Sequence, residues 1–319
     1  MSVQGSAQLP DTGRLEDVLG RMLGAEARIA KRTPNVYASS YPSEIIACRA
    51  GDGRFRRALC KYGPAGTATG HGHRGGVSYE GAVYRHVLAA ARMSTPRLWG
   101  VHHEREAGRT WLVIEYVDGA QHVRKQPSAM GPTAAWIGRF HATMEGRLSS
   151  PELAFLTRYD RDYFNGWPTR ADRFVSARWK RRAPWWAQLC ERFEECSQIL
   201  LEAGQTVIHG ECYPNNVICT SDAVRPVDWE SAAVAAGEID LASLLEGWPE
   251  EIARDYIAQY SAARWPSGSP AAFARVLDAA RVYLGLRWLG DEPALTASES
   301  SAERFDELQA AAMRLGLIA

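Results

Sequence analysis

The chain has 319 residues, of which 46% are hydrophobic, and its 37 basic side chains balance 37 acidic ones. A net charge of zero creates no overall field that would attract nucleic acid or an anionic membrane, so we expect neither as a partner. The length allows two lobes that each bury an apolar core. The six cysteines lack metal-ligand spacing and are interpreted as reduced core residues. Because the sequence also lacks a signal peptide and an apolar run long enough to span a bilayer, we expect a cytoplasmic protein.

The first third of the chain predicts a small antiparallel sheet with one main helix. Residues 1–11 are small and polar and are expected to be flexible, and apolar residues at helical spacing predict a helix over 13–31. Short β-type runs follow, namely NVYAS, EIIACRA and RRALCKY, and later RLWGVHH and TWLVIEYV. Between these two groups, the glycine-rich stretch 63–76 predicts a loop and VSYEGAVYRHVLAAARM predicts a helix. These elements predict an N-terminal lobe over residues 1–117.

Residues 118–319 predict a larger lobe that is mainly helical. Its helical segments are AAWIGRFHATM, the region 158–202, IDLASLLEGW and the long segments from residue 250 to the end. Only 207–229 has the pattern of strands, which we interpret as one buried hairpin. The sequence therefore predicts an α+β fold with two lobes.

The predicted hairpin, VIHGECYPNNVICTSDAVRPVDWES, carries three polar side chains at the ends of short apolar strands: Glu211, Asn216 and Asp228. Phosphoryl transfer from a nucleotide needs a divalent metal on the phosphates and a carboxylate that orients or deprotonates the acceptor hydroxyl. Carboxylate and amide oxygens suit Mg²⁺. A hairpin could bring one base and two metal ligands to the same edge.

At these residues the sequence resembles the aminoglycoside phosphotransferase and choline kinase-like family, in which HGDxxxxN is followed by a strand and a DW or DF pair. Here the same register reads HGECYPNN and VDWE. The resemblance implies a bilobal protein-kinase-like fold, with Glu211 as the catalytic base and Asn216 and Asp228 as Mg²⁺ ligands. His209 would fix the turn rather than react.

The resemblance extends to the expected nucleotide-binding residues. The family places a Lys on the third strand and a Glu on the following helix, and Lys61 and Glu80 match; they should pair, leaving Lys61 to hold the α and β phosphates. LVIEYVDG resembles the hinge, whose backbone around Glu115 and Val117 would meet the nucleotide base. Asp240 in GEIDLASLL would brace the catalytic loop from behind.

Two features depart from the family pattern. Glu211 stands where the family has Asp, which moves the carboxylate outward by one methylene. This suits either an adapted site, as in a subgroup with HGE and an aromatic residue at the position of Tyr213, or a nucleotide-binding protein that has lost transfer. The loop between the first two strands has no glycine, and Ser39 and Ser40 either donate to the β and γ phosphates or form an ordinary turn.

The residues from 158 to 186 bear on the acceptor. Between 158 and 182 there are eight basic side chains against three acidic ones, which disfavours a polycation if this surface faces the cleft. Four tryptophans in the region could stack on an acceptor ring or pack between helices: Trp167, Trp179, Trp185 and Trp186. On the preceding glycine-rich loop, His71 and His73 are expected to be solvated.

The leading hypothesis is a small-molecule kinase. It would bind Mg²⁺ and ATP or GTP between the lobes and transfer the γ-phosphate to a hydroxyl of a sugar, nucleoside, antibiotic or other natural product. The alternative is a non-catalytic nucleotide-binding or ligand-sequestering kinase homologue. A protein-kinase role is disfavoured because no APE-type motif follows VDWE.

Overall fold

The computed structural model describes residues 9–36, 41–64, 71–291 and 301–319. The chain divides into two compact units. The first comprises the described residues within 1–68, 74–121 and 227–230, and the second comprises those within 69–73, 122–226 and 231–319. In the described part of the chain, no helix combines the length and the hydrophobicity needed to cross a membrane.

The first unit contains a five-stranded antiparallel sheet with strand order β1-β2-β3-β5-β4. The buried side chains of its central strands pack against helix α1 (Thr12–Leu23), with Leu15 and Leu19 facing Ile46 and Cys60. The predicted antiparallel sheet is therefore confirmed. The strands are β1 (Ala27–Pro34), β2 (Ser43–Ala50), β3 (Phe55–Pro64), β4 (Leu98–Glu104) and β5 (Arg109–Glu115).

Helix α1 is shorter than the helix predicted over 13–31. Asp11 caps its first turn by accepting a hydrogen bond from the Arg14 backbone N–H at 2.9 Å, and Gly24 ends it with a φ of +66°. The residues predicted to continue the helix form β1 instead, because a left-handed Gly24 stops the helical backbone. The predicted strand NVYAS begins only after β1 has ended, and residues 37–40 of that run lie outside the described residues.

The helix predicted after the glycine-rich stretch is confirmed, and its middle is wider than an α-helix. It begins as α2 (Gly76–Ala82), continues through a π-helical segment (Val83–Leu88) and finishes as α3 (Ala89–Ala91). Arg92 then adopts a left-handed φ of +52°. Such π segments are frequent at functional sites, and Glu80 lies on the turn that precedes this one.

The second unit is mainly helical, as predicted. Short 3₁₀ turns connect its first elements, at Val123–Lys125, Pro127–Ala129 and Pro151–Leu153. The six cysteines all lie in the described ranges and form no disulfide there, and five of them are buried while Cys190 is partly exposed, which agrees with core residues. The helices are α4 (Met130–Glu145), α5 (Arg161–Phe174), α6 (Ala177–Arg182), α7 (Trp186–Glu202), α8 (Glu238–Leu244), α9 (Glu250–Arg264), α10 (Phe273–Asp291) and α11 (Ser301–Arg314).

The strands after residue 204 do not form the single hairpin that was predicted. Strand β8 (Gln205–Ile208) pairs with β11 (Ala233–Ala236), which also pairs with β7 (Thr157–Arg158). The hairpin consists of β9 (Val217–Cys219) and β10 (Val224–Pro226), and their sheet also includes β6 (Gln121–His122). Strand β11 was missed because its sequence, AVAA, has neither β-branched nor aromatic enrichment beyond one valine.

Candidate active site

The predicted pair of Lys61 and Glu80 is formed in the first unit. Lys61 Nζ lies 2.8 Å from Glu80 Oε2 and 2.5 Å from Asp228 Oδ1. The other oxygen of Glu80 accepts a hydrogen bond from the backbone N–H of Trp229 at 3.2 Å. Glu80 therefore joins the lysine on β3 to the chain segment that carries Asp228.

A further carboxylate, Glu230, was not assigned to this cluster from the sequence. It is buried, its Oε2 lies 3.9 Å from Lys61 Nζ, and its Oε1 lies 3.8 Å from Arg74 Nε. Its backbone carbonyl accepts a hydrogen bond from the N–H of Gly75 at 2.7 Å. The signal available in the sequence was the two-residue spacing in DWE. Three carboxylates therefore surround the ammonium of Lys61.

This excess of acids sets the protonation of Lys61. Burial alone would lower the pKa of the lysine, but Glu80, Asp228 and Glu230 outweigh that effect and raise its pKa well above the usual range. Burial also raises the pKa of Glu80, although the neighbouring ammonium opposes that rise. Lys61 therefore stays protonated and is held in place by carboxylates. A positive charge held in this way is suited to contact phosphate groups.

Asp228 has an unusual backbone. Its φ of +67° lies in the left-handed region, which costs a non-glycine residue free energy. Strain of this kind is commonly found at functional sites, where the surrounding contacts hold the residue in place. Here Lys61 contacts the carboxylate of Asp228. The next two residues are also held, because Trp229 donates its backbone N–H to Glu80 and Glu230 accepts a backbone hydrogen bond from Gly75.

In the second unit, the predicted brace behind the catalytic loop is present. Asp240 on α8 accepts hydrogen bonds from the backbone N–H groups of His209, at 2.7 Å, and Gly210, at 2.8 Å. Gly210 has a φ of +84°, and a Cβ added there would lie 2.1 Å from the carbonyl oxygen of Ser231. His209 Nδ1 accepts a hydrogen bond from the backbone N–H of Glu211 at 3.3 Å. The turn therefore requires glycine, and the imidazole of His209 stabilises it, as predicted.

A second layer of buried polar groups supports Asp240. His141 on α4 places Nε2 3.1 Å from Asp240 Oδ2 and Nδ1 3.0 Å from the hydroxyl of Tyr260, to which Arg264 donates at 2.7 Å. Burial lowers the pKa of His141 despite the adjacent carboxylate. Burial would raise the pKa of Asp240, but its contacts with His141 and His209 lower it. The brace is therefore an ionised carboxylate beside a neutral imidazole.

The carboxylate of Glu211 is fixed at both of its oxygens. Arg287 on α10 donates to Oε1 at 2.5 Å, and the hydroxyl of Ser231 donates to Oε2 at 3.0 Å. The Glu211 side chain retains 10% of its exposure and that of Arg287 retains 4%. Nothing in the sequence indicated Arg287, because it is 76 residues away in an ordinary helical pattern.

Asn216 is held by the same turn. Its side-chain nitrogen donates to the backbone carbonyl of Glu211 at 2.9 Å, and its backbone N–H donates to the carbonyl of Tyr213 at 2.8 Å. An amide whose nitrogen is engaged in this way presents its oxygen as an acceptor. Asn216 and Glu211 therefore belong to one ordered loop.

A known protein family matches most of the chain. The profile described as the phosphotransferase enzyme family matches residues 52–276, which is more than half of the chain. The chain belongs to the phosphotransferase enzyme family. Its predicted class, a phosphotransferase with an alcohol group as acceptor, is therefore confirmed. No curated protein sequence matches the chain significantly.

Solved structures with the same fold have low sequence identity to this phosphotransferase. An aminoglycoside phosphotransferase, APH(4)-Ia, solved as a thermostable mutant, is 15% identical over 94% of this chain and 98% of its own, with a TM-score of 0.60. Choline kinase from Cryptosporidium parvum Iowa II is 13% identical over 96% and 98%, with a TM-score of 0.61. The choline kinase LicA from Streptococcus pneumoniae, which has also been solved with AMP, is 13% identical over 95% and 98%, with a TM-score of 0.58. These similarities confirm the predicted protein-kinase-like fold.

The residues predicted to bind magnesium are chemically suited to it. Mg²⁺ is usually bound by one or two carboxylates, with the remaining ligands supplied by phosphates and water. Asp228 offers a carboxylate, and Asn216 offers an amide oxygen whose nitrogen is already engaged. Within the described ranges no group of three or more His, Cys, Asp or Glu side chains is arranged to hold a metal. Each of these two side chains, taken by itself, is of a type that Mg²⁺ accepts as a ligand.

The expected hinge of the phosphotransferase lies at the end of β5. Glu115 is its last residue, and its backbone N–H donates to the carbonyl of Arg97 at 2.8 Å. The carbonyl of Val117 accepts a hydrogen bond from the N–H of Ala120 at 3.4 Å. The role of Glu115 and Val117 in binding the nucleotide base stays a prediction. Ser39 and Ser40, the predicted phosphate donors, lie outside the described residues.

The two histidines of the glycine-rich stretch pack against helix α5 of the second unit. His73 is buried, and its ring lies 5.3 Å from the ring of Trp167. The ring of His71 lies 4.8 Å from the same indole, and its Nε2 donates to the backbone carbonyl oxygen of Tyr163 at 3.1 Å. The expectation that both are solvated is wrong for His73, because Trp167 offers an aromatic surface that covers it.

Most of the tryptophans between 158 and 186 are packing residues. Trp167, Trp179 and Trp186 are buried, and Trp179 stacks on Phe305 with ring centroids 4.7 Å apart. Several of the basic side chains nearby are solvent-exposed or paired, as Lys180 is with Asp172 at 2.5 Å. Of the two interpretations of these tryptophans, packing between helices is the one that these contacts support.

Proposed function

We propose that this phosphotransferase transfers the γ-phosphate of ATP or GTP to a hydroxyl of a small molecule, with Glu211 as the base. The observation that carries the proposal is the fixation of the Glu211 carboxylate by Arg287 and Ser231 on a turn braced by Asp240. Arg287 and Ser231 hold the two carboxylate oxygens in one position, which supports a role that depends on geometry. The extra methylene of glutamate is thus compatible with an adapted site.

In the proposed reaction the acceptor oxygen attacks the γ-phosphorus while the bond from that phosphorus to the bridging oxygen of the nucleotide breaks. The nucleoside diphosphate leaves with the bond's electron pair, and the acceptor hydroxyl proton passes to the carboxylate of Glu211. Lys61, held by Glu80 and Asp228, contacts the α and β phosphates. The backbone around Glu115 and Val117 contacts the base.

Asp228 and Asn216 are the side chains that would bind Mg²⁺. The ion, when bound, neutralises charge on the phosphates and orients the transferred group. The side chains of the protein itself hold the acceptor hydroxyl, exclude water and accept its proton. The low exposure of Glu211 supports this division, since a buried carboxylate is shielded from water.

The acceptor that we propose is a neutral or anionic sugar, nucleoside, antibiotic or other natural product, and not a polycation. The charge of Glu211 is compensated by the buried guanidinium of Arg287, so this carboxylate does not by itself attract a cationic acceptor. Apart from Glu211, the polar groups described next to Arg287 are the backbone carbonyl of Gly210 and tyrosine hydroxyls, and these carry no negative charge. We further propose that the protein works in the cytoplasm, as its free cysteines suggest.

The test is turnover by wild type, Glu211→Gln and Glu211→Ala with a panel of uncharged and polycationic acceptors, with ATP or GTP and Mg²⁺. Loss of a general base costs on the order of 10²–10⁴ in rate, so both variants should lose turnover by that amount while nucleotide binding persists. Glu195→Gln, an exposed ion-pair residue on α7, serves as the matched control and should keep full turnover. Undiminished turnover in both Glu211 variants would show that Glu211 is not the base, and faster turnover of polycations would contradict the proposed acceptor class.

A further inference from the structure

Arg287 connects the backbone and the side chain of the loop that carries Glu211. One of its terminal nitrogens donates to the carbonyl oxygen of Gly210 at 2.6 Å, and the other donates to Glu211 Oε1 at 2.5 Å. A planar guanidinium offers two donors in a rigid fork, which a lysine cannot reproduce. The guanidinium of Arg287 therefore fixes the position of the Glu211 carboxylate relative to the backbone of the turn that carries it.

The position of the guanidinium is itself fixed. Arg287 lies on α10 one turn after Tyr283, whose hydroxyl is 2.8 Å from the hydroxyl of Tyr163 on α5. The ring of Tyr163 stacks on Tyr159 with centroids 3.8 Å apart. Arg287 is 3% exposed, so these aromatic residues surround a buried cation that has few alternative rotamers. The fork is rigid because its surroundings are packed.

The second oxygen of Glu211 is held independently. Ser231 donates to Oε2, so each carboxylate oxygen has one fixed donor. An ionised carboxylate has about four lone-pair sites, and Arg287 and Ser231 occupy one on each oxygen. These two contacts restrict the direction of the carboxylate.

Glutamate needs such restriction more than aspartate does. It has one more rotatable bond, and a displacement of about 1 Å in a reacting group costs on the order of 10² in rate. The two contacts remove the freedom that the additional methylene introduces. We propose that Arg287 is a positioning residue, which holds the carboxylate of Glu211 at the place where an acceptor hydroxyl meets it; this inference rests on the proposed function.

The experiment is a double-mutant cycle in kcat between Glu211→Asp and Arg287→Lys, with Arg287→Gln as a second substitution. In the wild-type background Arg287→Gln should lower kcat by about 100-fold, with KM for the nucleotide changed by less than about threefold, and Arg287→Lys should restore part of the loss. In the Glu211→Asp background, where the shorter side chain no longer reaches the guanidinium, Arg287→Lys should cost less than about threefold. A coupling of about tenfold between the two positions is the expected result.

Arg281→Gln is the matched control, because Arg281 lies on the same helix and pairs with Asp278 at 2.9 Å rather than with the loop of Glu211. It is partly exposed, and its substitution should leave kcat within about twofold. Thermal unfolding and nucleotide binding identify variants that fail to fold; if Arg287→Gln does not fold, Arg287→Lys and the cycle decide the outcome. Additive effects, or a wild-type kcat in folded Arg287→Lys and Arg287→Gln, would overturn the inference. Undiminished turnover in Glu211→Gln would instead overturn the proposed function, so the two failures are distinguishable.

Discussion

Asp240 Oδ2 accepts a hydrogen bond from the backbone N–H of His209 at 2.7 Å, and this contact places an ionised carboxylate behind the turn that leads to Glu211. The adjacent N–H of Gly210 donates to the other oxygen at 2.8 Å. Two consecutive backbone N–H groups of the loop therefore point toward Asp240 on α8. The carbonyl of Gly210 points to Arg287 instead. The conformation of the loop therefore depends on two charged side chains from different helices, Asp240 on α8 and Arg287 on α10.

Replacing this acid should affect both stability and turnover. Asp240→Asn keeps the shape but leaves one of the two N–H groups without an acceptor, and hydrogen bonds to a charged group are worth about 1.5–3 kcal/mol each. We expect the free energy of unfolding to fall by about 2–3 kcal/mol and kcat to fall by about tenfold or more as Glu211 is displaced. Urea denaturation and turnover of the same preparation measure both quantities. A variant whose free energy of unfolding stays within about 0.5 kcal/mol of wild type would show that the brace contributes little.

Because the imidazole of His141 is buried next to Asp240, we expect the stability of the protein to depend on pH. Burial lowers the pKa of His141, so below the usual His pKa of about 6.5 the unfolded chain takes up a proton that the folded chain does not. Its contribution to stability is complete above that pH and is lost as the pH falls toward the lowered value. The groups that face it are Asp240, Tyr260 and Arg264.

Substituting the imidazole should weaken this dependence. Between pH 7.5 and 5.5, wild type should lose stability more steeply than His141→Gln, by up to about 1.4 kcal/mol per pH unit for one proton. Denaturation curves of the two proteins across this range give the difference, in which the other histidines cancel. Parallel curves would mean that His141 takes up its proton equally in the folded and unfolded states.

The turn glycine gives a prediction with an internal control. Gly210→Ala would place a Cβ 2.1 Å from the carbonyl oxygen of Ser231, at a φ of +84°. Gly247 also has a positive φ, of +73°, but a Cβ there would meet nothing within 4 Å. Gly247→Ala should therefore cost only the conformational strain of about 1–2 kcal/mol, whereas Gly210→Ala should cost at least about 4 kcal/mol because backbone must move. Equal losses in the free energy of unfolding would contradict the close approach.

The sequence predicted those parts of the molecule that local pattern controls. The five strands of the first unit include four that were expected from alternating or apolar runs, and the pairing of Lys61 with Glu80 followed from the family resemblance. The helix predicted over 13–31 was wrong beyond Gly24, since a single left-handed glycine outweighs a helical spacing that continues past it. The lobe boundary after residue 117 stays a prediction.

The unpredicted parts depend on contacts between distant segments. Arg287 and Ser231 were not assigned to the catalytic loop because neither stands in a motif, and only the packing of α10 brings the guanidinium to Glu211. The pairing of β8 with β11 is also non-local, and AVAA carries little strand preference. Burial of His73 depends on Trp167 in the same way.

Loss of the central cation should destabilise the first unit in a pH-dependent manner. Lys61→Met leaves Glu80 buried without its ammonium partner, and breaking a buried pair costs about 3–5 kcal/mol. The pKa of Glu80 is already raised by burial and should rise further. A carboxyl with a raised folded pKa stabilises below its unfolded pKa and loses that contribution as the pH rises. The deficit of the variant should therefore grow as the pH rises above the usual Glu pKa of about 4.3.

A second substitution checks the cause of that deficit. Lys61→Met combined with Glu80→Gln removes one of the buried negative charges and should recover part of the free energy of unfolding at pH 8, whereas Glu80→Gln alone should not stabilise the protein. Nucleotide turnover should stay low in both Lys61 variants, because the contact that we propose between Lys61 and the phosphates is absent. If the double variant were as unstable as Lys61→Met at every pH, the uncompensated carboxylate would not be the cause.

Asn216 and its neighbour Asn215 separate metal binding from loop structure. Asn216→Ala removes the proposed amide ligand, and the half-saturating Mg²⁺ concentration for turnover should rise by about 10–100-fold, the range typical of losing a group that supports a metal site. Asn215 is exposed, and its backbone carbonyl, which survives substitution, lies 2.6 Å from His122 Nδ1. Asn215→Ala should therefore keep the wild-type Mg²⁺ dependence. Calorimetric titration of Mg²⁺ in the presence of a non-hydrolysable nucleotide measures the same difference without turnover, and identical titrations of the two variants would exclude Asn216 as a ligand.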